Sequence, residues 1–430
     1  MPKRLAAGGD MFGQFGRTTA LRTWQAAGLS LAAGGLAATK GPGAVAAAVA
    51  LAPMVWALGR LHRHVPSADS TSDLVANVLG FRTGVFTGLV QFVGYLLLAV
   101  GFARGPGIAV TMLFAHDAES ATTSLWWPVW SVAAAILAAA LTYFCRTKVV
   151  VSTAAVLAAV GMLVYFYVAL AAIARVATGT VPQPTGGVAP QSGIAASTLL
   201  ITLGLALLGV EAVTTLNARV NSMIRPIGSA IAVIALCAAT GWVAVALTSG
   251  VAGLAFDESQ IVLLASNLFA DAGSLWLITG ALALGSAALL AITLAAVRVA
   301  SRLTHQISAH QHVGAVTVVV AAATAMLVVV TTQNWAGAAS KLTGVAPLLL
   351  LVLYVIAAEA NSRLPGSSDA AMALRVFMPT LAVVVVLIPL SYYEFDALSL
   401  WPPAIAAAIG AAAALAAFRL SDRAHIRPVT

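Results

Sequence analysis

Residues 200–220 read LITLGLALLGVEAVTTLNARV. An apolar run this long suits a membrane, which needs about 20 such residues per helix. Yet it holds a carboxylic acid, Glu211, directly after Gly209-Val210. A charged group is costly at membrane depth, and glycine weakens a helix by about 1 kcal/mol relative to alanine. The stretch therefore reads as a membrane helix with a polar, weakened middle, and the rest of the chain decides whether that reading holds.

It does on composition. The chain has 430 residues, 61% hydrophobic and 8% charged, where a soluble chain is about 25% charged. So little charge cannot furnish a water-facing surface. An ordinary soluble globule, a disordered chain and a nucleic-acid-binding domain are excluded. At about 30–35 residues per span with its loop, the length accommodates about twelve spans. Long unbroken apolar runs argue against a membrane β-barrel, whose strands alternate. The runs fall near 23–39, 42–59, 83–103, 125–144, 149–174, 195–217, 227–252, 273–297, 313–331, 342–358, 376–391 and 400–418. The expected fold class is an all-α membrane protein of about twelve transmembrane helices.

Charge tests the count. With the N-terminus inside, eighteen of the twenty-two Lys and Arg residues fall on inner segments, leaving Lys40, Arg104, Arg175 and Lys341 outside. One span missed or invented near the middle would scramble this asymmetry. The expected location is thus the plasma membrane, multi-pass in the lipid bilayer, with both termini cytoplasmic. The basic N-terminus lacks a short apolar stretch with a cleavage site and reads as a tail. Two outer loops exceed a turn. Residues 178–194 are rich in Pro and Gly, and 255–271 hold an apolar stretch that reads as a helix on the outer mouth.

Cys145 and Cys237 make no disulfide framework, and His62, His64, His305, His310 and His312 make no persuasive metal spacing. No cofactor and no metal are expected. Nor is an enzyme, since no paired carboxylates and no nucleophile with a nearby base occur at membrane depth. Glu211 is the main membrane-depth ionisable residue, a candidate for proton coupling or gating; the bland alternative is a buried hydrogen-bonded carboxyl that holds the bundle together. Span one, AAGLSLAAGGLAATKGPG (26–43), carries Gly28, Gly34 and Gly35; span six carries Gly204 and Gly209. Interrupted helices at corresponding places in two repeats offer bare peptide donors and acceptors to a zwitterion. Close packing is the commoner use of such glycines. Ser30, Gln91, Tyr95, Ser286, Thr293 and Thr343 are further polar residues able to face the interior.

LGRLHRHVPSADSTSDLVANVLGFRTGVFTGLVQFVGY (58–95) is similar to the loop after span two of the amino acid–polyamine–organocation transporter superfamily, through Pro66, Ser67, Ala68, Leu79 and Gly80. LGLALLGVEAVTTLNARVNSMIRPIGSAI (203–231) resembles that superfamily's Gly-x-Glu stretch and its following loop; Ser301-Arg302 resembles the end of span eight, and Tyr354 the usual tyrosine of span ten. The resemblance covers most of the chain and looks most like bacterial exporters of methionine and branched-chain amino acids. It implies a LeuT-like fold: inverted five-helix repeats over 22–175 and 195–360, two additional helices over 361–418, a tail at 1–21, an outer loop at 176–194 and a second tail at 419–430. It also implies a secondary transporter of amino acids or related amines. The substrate-binding residues it implies are Ser30, Gly34, Gly35, Tyr95, Gly204, Leu205, Leu208 and Gly209, with Glu211 and Thr293 for coupling or gating. The departures are specific. Asp69-Ser70 replaces a Gly-Gly pair, five residues separate Gly35 from Gly41, Leu205, Leu207 and Leu208 replace an aromatic gate, and Arg219 replaces an acid. Span five has no lysine at membrane depth, and Thr293 stands alone in span eight. Proton coupling is expected over sodium. The alternative is a non-transporting subunit of the same fold that binds a protein partner; a homo-oligomer is also open.

Overall fold

The computed structural model describes residues 21–65, 68, 70–114, 124–179, 209–216, 224–249, 271–308, 313–332, 338–366, 368–392 and 401–425. All regular structure there is helical: α1 (Thr23–Gly34), a 3₁₀ helix (Gly35–Lys40), α2 (Pro42–His64), α3 (Thr71–Leu79), α4 (Phe81–Met112), α5 (Trp126–Phe144), α6 (Thr147–Ala177), a second 3₁₀ helix (Val210–Thr215), α7 (Ile224–Ser249), α8 (Asp271–Ser308), α9 (Val313–Thr332), α10 (Ala338–Ser362), α11 (Asp369–Tyr392) and α12 (Trp401–His425). Each of the twelve apolar runs meets a described helix, the sixth through 209–216 alone. Among the described residues nine helices are long and apolar enough to cross a membrane. α12 runs past the expected span end at 418, through Arg419 and Arg423. The stretches read as long outer loops, 178–194 and 255–271, lie outside the described residues except for Thr178, Gly179 and Asp271.

Span one is built in two pitches. α1 starts at Arg22, whose backbone N–H donates to the Gln25 side-chain oxygen at 3.0 Å. Twelve residues of α-helix and six of 3₁₀ helix follow. At 1.5 and 2.0 Å per residue these add to about 30 Å, the thickness of the hydrocarbon core. The brief gap of five residues between Gly35 and Gly41 is thus offset by the steeper rise of the 3₁₀ half. Gly41 (φ 53°) then reverses the chain at once, and Pro42 opens α2 at the position where a missing N–H costs nothing.

The bundle has a centre and a rim. The apolar stretch of α8 is 83% buried and that of α12 only 11%. α8 packs along α4 and α6, and α4 also meets α5 and α10. Alanine and glycine allow these close approaches. A side chain at Gly28 would strike Ala155; one at Gly107 would strike the Ser131 hydroxyl and the Trp127 carbonyl. Both latter atoms are fixed, because Ser131 Oγ donates to Trp127 O at 2.8 Å. Gly107→Leu is therefore expected to separate α4 from α5 and cost about 1–3 kcal/mol by overpacking. Thermal unfolding in detergent measures this; an unchanged midpoint contradicts the tight α4–α5 contact.

Candidate functional site

The second 3₁₀ helix sits at the middle of the bundle. Gly209 precedes it at φ 101°, a conformation open to glycine, and Leu216 leaves it in extended backbone. Its residues Val210 to Thr215 are all buried. Span six is therefore not an ordinary α-helix at this depth, in line with the weakness read around Gly209.

Span one differs from the expectation. Gly34 and Gly35 both take right-handed helical torsions (φ −99°, ψ −4° and φ −62°, ψ −31°), so the helix changes pitch there instead of unwinding. Two consecutive glycines permit either outcome; here the chain keeps i to i+3 bonding. The pitch change meets the irregularity of span six directly. A Cβ on Gly34 would strike Val210, and one on Gly209 would lie 2.9 Å from Ile292 Cδ1 and 3.5 Å from the Ala33 carbonyl. The junction is tight: Ala33, Gly34 and Val210 are buried.

Glu211 lies one residue beyond that junction and is 1% exposed. Tyr95 of α4 donates to its Oε1 at 3.0 Å. Tyr354 of α10 donates to its Oε2 at 2.5 Å. The backbone N–H of Gly209 donates to the same Oε2 at 3.0 Å. Gln91, one turn from Tyr95, donates to the Tyr95 hydroxyl at 3.0 Å. A chain of polar groups thus ties spans three, six and ten together in the apolar core. Three donors on one carboxyl group meet the need of a buried polar atom for partners. Either tyrosine hydroxyl can rotate from donor to acceptor, so the same geometry accommodates the carboxyl with or without a proton.

Two consequences are measurable. Tyr354→Phe removes one hydrogen bond but leaves Gly209 N–H on Oε2, at an expected cost of about 1–3 kcal/mol. Tyr95→Phe also strands the Gln91 amide, whose Oε1 already lacks a partner. Tyr95→Phe is therefore the more destabilising of the two in thermal unfolding; the reverse order contradicts the chain of donors.

Of the residues expected to bind substrate, Gly34, Gly35 and Gly209 come together at the junction. Ser30 is fully buried on α1 with its hydroxyl unpartnered. Tyr95 faces Glu211. Gly204, Leu205 and Leu208 lie outside the described residues. Thr293 is buried on α8, next to the Ile292 that packs against Gly209. Sequence reading missed one link. Thr71, at the start of α3, shares a 2.7 Å hydrogen bond with Thr214, which also donates to the Glu211 carbonyl. Threonines 143 residues apart carry no pairing signal. A weaker signal existed for Arg60: read as a topological charge, it is 8% exposed and donates to the carbonyls of Pro365 and Gly366 at 3.4 and 2.7 Å.

Among the described residues no three His, Cys, Asp or Glu side chains gather where they could hold a metal ion. By sequence, no family profile and no curated protein matches the chain. By structure, the chain is similar to MhsT in complex with L-phenylalanine, with a TM-score of 0.57 at 12% identity over 90% of this chain and 99% of that one. It is also similar to a variant of the Eremococcus coleocola manganese transporter, with a TM-score of 0.59 at 11% identity over 98% and 95%. The same transporter in complex with an aromatic bis-isothiourea compound gives 0.53 at 12% identity. At such identities the likeness concerns the fold.

Proposed function

We propose that this chain, an all-α, multi-pass membrane protein of the LeuT fold, is a secondary transporter of amino acids or closely related small amines, working by alternating access and coupled to protons through Glu211. The observation that carries this reading is the junction itself: the pitch change at Gly34-Gly35 abuts the glycine-led irregularity at Gly209-Val210. Irregular backbone at membrane depth is tolerated only inside protein or along a cavity. In transporters such segments present peptide N–H groups to a carboxylate and peptide carbonyls to an ammonium. On this reading the substrate carboxylate meets the span-one side and its ammonium the span-six side, around 205–209.

The two structural likenesses point to different cargoes, an amino acid and a manganese ion. The junction's chemistry favours the organic one. Ala33, Gly34 and Val210 present small or apolar surface there, and the Gly209 N–H and carbonyl are engaged by Glu211 Oε2 and the Ala212 N–H. Hard cations require several oxygen ligands. Glu211 is the acid nearest the junction in sequence, and its oxygens already accept three donors. The inverted repeats are assigned to 22–175 and 195–360, and the resemblance to exporters of apolar amino acids supplies the substrate class to try first.

The test is a thermal-shift screen of the twenty amino acids and common polyamines, followed by flux of each hit in proteoliposomes under an imposed pH gradient. Stabilisation by an apolar amino acid and gradient-dependent flux support the proposal. Stabilisation by manganese alone overturns the substrate class. No ligand shift together with a stoichiometric co-purified partner instead supports the non-transporting subunit.

A further inference from the structure

A groove of about 330 Å³ opens on the flank of the bundle between α1, α6 and α7, lined by Trp24, Gly28, Leu31, Val156, Ala159 and Val233 among others. Its lining side chains are nearly all apolar, and Trp24, Val156 and Val233 are 51%, 57% and 40% exposed there. The groove has a defined end. Gln25 of α1 donates to Ser152 of α6 at 2.9 Å, and Gly28 abuts Ala155, so the two helices run parallel with a constant offset. α7 keeps the same sense: Gly34 faces Ile234, while the groove residues of α7 fall at 229–233 beside 24–31 of α1. All three helices consequently start at the same end of the groove. Arg22, Lys148 and Arg225 stand there, all exposed and within about one helical turn of a common level. Helices α1, α6 and α7 contain no Asp or Glu.

We propose that this groove binds one anionic glycerophospholipid, its acyl chain in the groove and its phosphate among Arg22, Lys148 and Arg225. Three helix N-termini add partial positive charge to those side chains, and juxtamembrane basic residues are attracted to anionic lipid surfaces. Basic residues gather at many helix ends of this chain, but here they stand beyond one end of an apolar groove. The lipid braces α1, whose far end forms the junction with Gly209. The proposal does not depend on transport activity.

Full-length protein in nanodiscs of phosphatidylcholine doped with phosphatidylglycerol, examined by native mass spectrometry after partial delipidation, tests it. One phosphatidylglycerol is expected to stay bound, enriched over its share of the bilayer. Replacing Arg22, Lys148 and Arg225 by Gln is expected to lower its retention about a hundredfold, near fivefold per charge. Ala159→Trp fills the exposed groove without touching the charges or the core and is expected to abolish retention. Equal retention of phosphatidylcholine and phosphatidylglycerol by the unaltered protein overturns the proposal, as does retention unchanged in Ala159→Trp. If the triple variant fails to fold, the Ala159→Trp arm decides alone.

Discussion

Glu211→Gln is expected to abolish substrate accumulation driven by a pH gradient while leaving substrate binding and exchange in place. The amide keeps one acceptor oxygen for the hydroxyls and for Gly209, so the tie between spans three, six and ten weakens without falling apart. What it loses is the ability to take up and release a proton. Coupled accumulation then falls to the level of passive exchange, a change of orders of magnitude under a steep gradient. The measurement is uptake in proteoliposomes with and without the gradient, beside counterflow of labelled substrate. Gradient-driven uptake unaffected by Glu211→Gln at every pH removes the coupling role. Loss of counterflow as well makes Glu211 a brace and not a coupler. Glu211→Ala is a harsher change: it leaves two tyrosine hydroxyls and a peptide N–H buried without an acceptor, at about 1–3 kcal/mol each. It is expected to prevent the isolation of folded protein.

The second large effect is at Gly209. Its φ of 101° strains any other residue, and an added methyl would lie 2.9 Å from Ile292 Cδ1. Backbone strain of this kind costs about 1–3 kcal/mol, and the crowding adds to it. The Gly209 N–H also holds Glu211 Oε2, so any shift of the backbone loosens the carboxyl. Gly209→Ala is therefore expected to lower the unfolding midpoint and to weaken substrate binding together. By contrast, Gly228 has open space around its missing side chain, and Gly228→Ala is the matched control on a neighbouring membrane helix. Equal effects of the two substitutions contradict a special role for the junction.

Hydropathy and charge made the spans legible because lipid imposes one length and one polarity on every helix. Glu211 stood out for the same reason, an acid where acids are expensive. Its partners were half legible: Tyr95 and Tyr354 could be named, but not that both point at Glu211, since contacts spanning 116 and 143 residues depend on how helices are rotated about their axes. The kind of irregularity in span one was not legible either. Gly34-Gly35 tolerates an unwound turn and a 3₁₀ turn alike, and the packing of Val210, Ile234 and Leu284 around the pair accompanies the second. Gln91 read as one interior polar residue among several because nothing local marks it as the outer member of a relay. Gly204, Leu205 and Leu208 lie outside the described residues, so their expected roles stay with the proposal.

The two-pitch construction of span one ties its register to its surroundings. If residues 35–40 coiled into α-helix they would shorten by about 3 Å, at half an ångström per residue. Lys40 and the Gly41 turn would then be drawn towards the acyl chains, which carries a mismatch cost. A thick bilayer holds this segment extended; a thin one favours its contraction. Because the segment begins at the glycine pair that abuts Val210, lipid chain length is expected to act as a mechanical input to the centre of the protein.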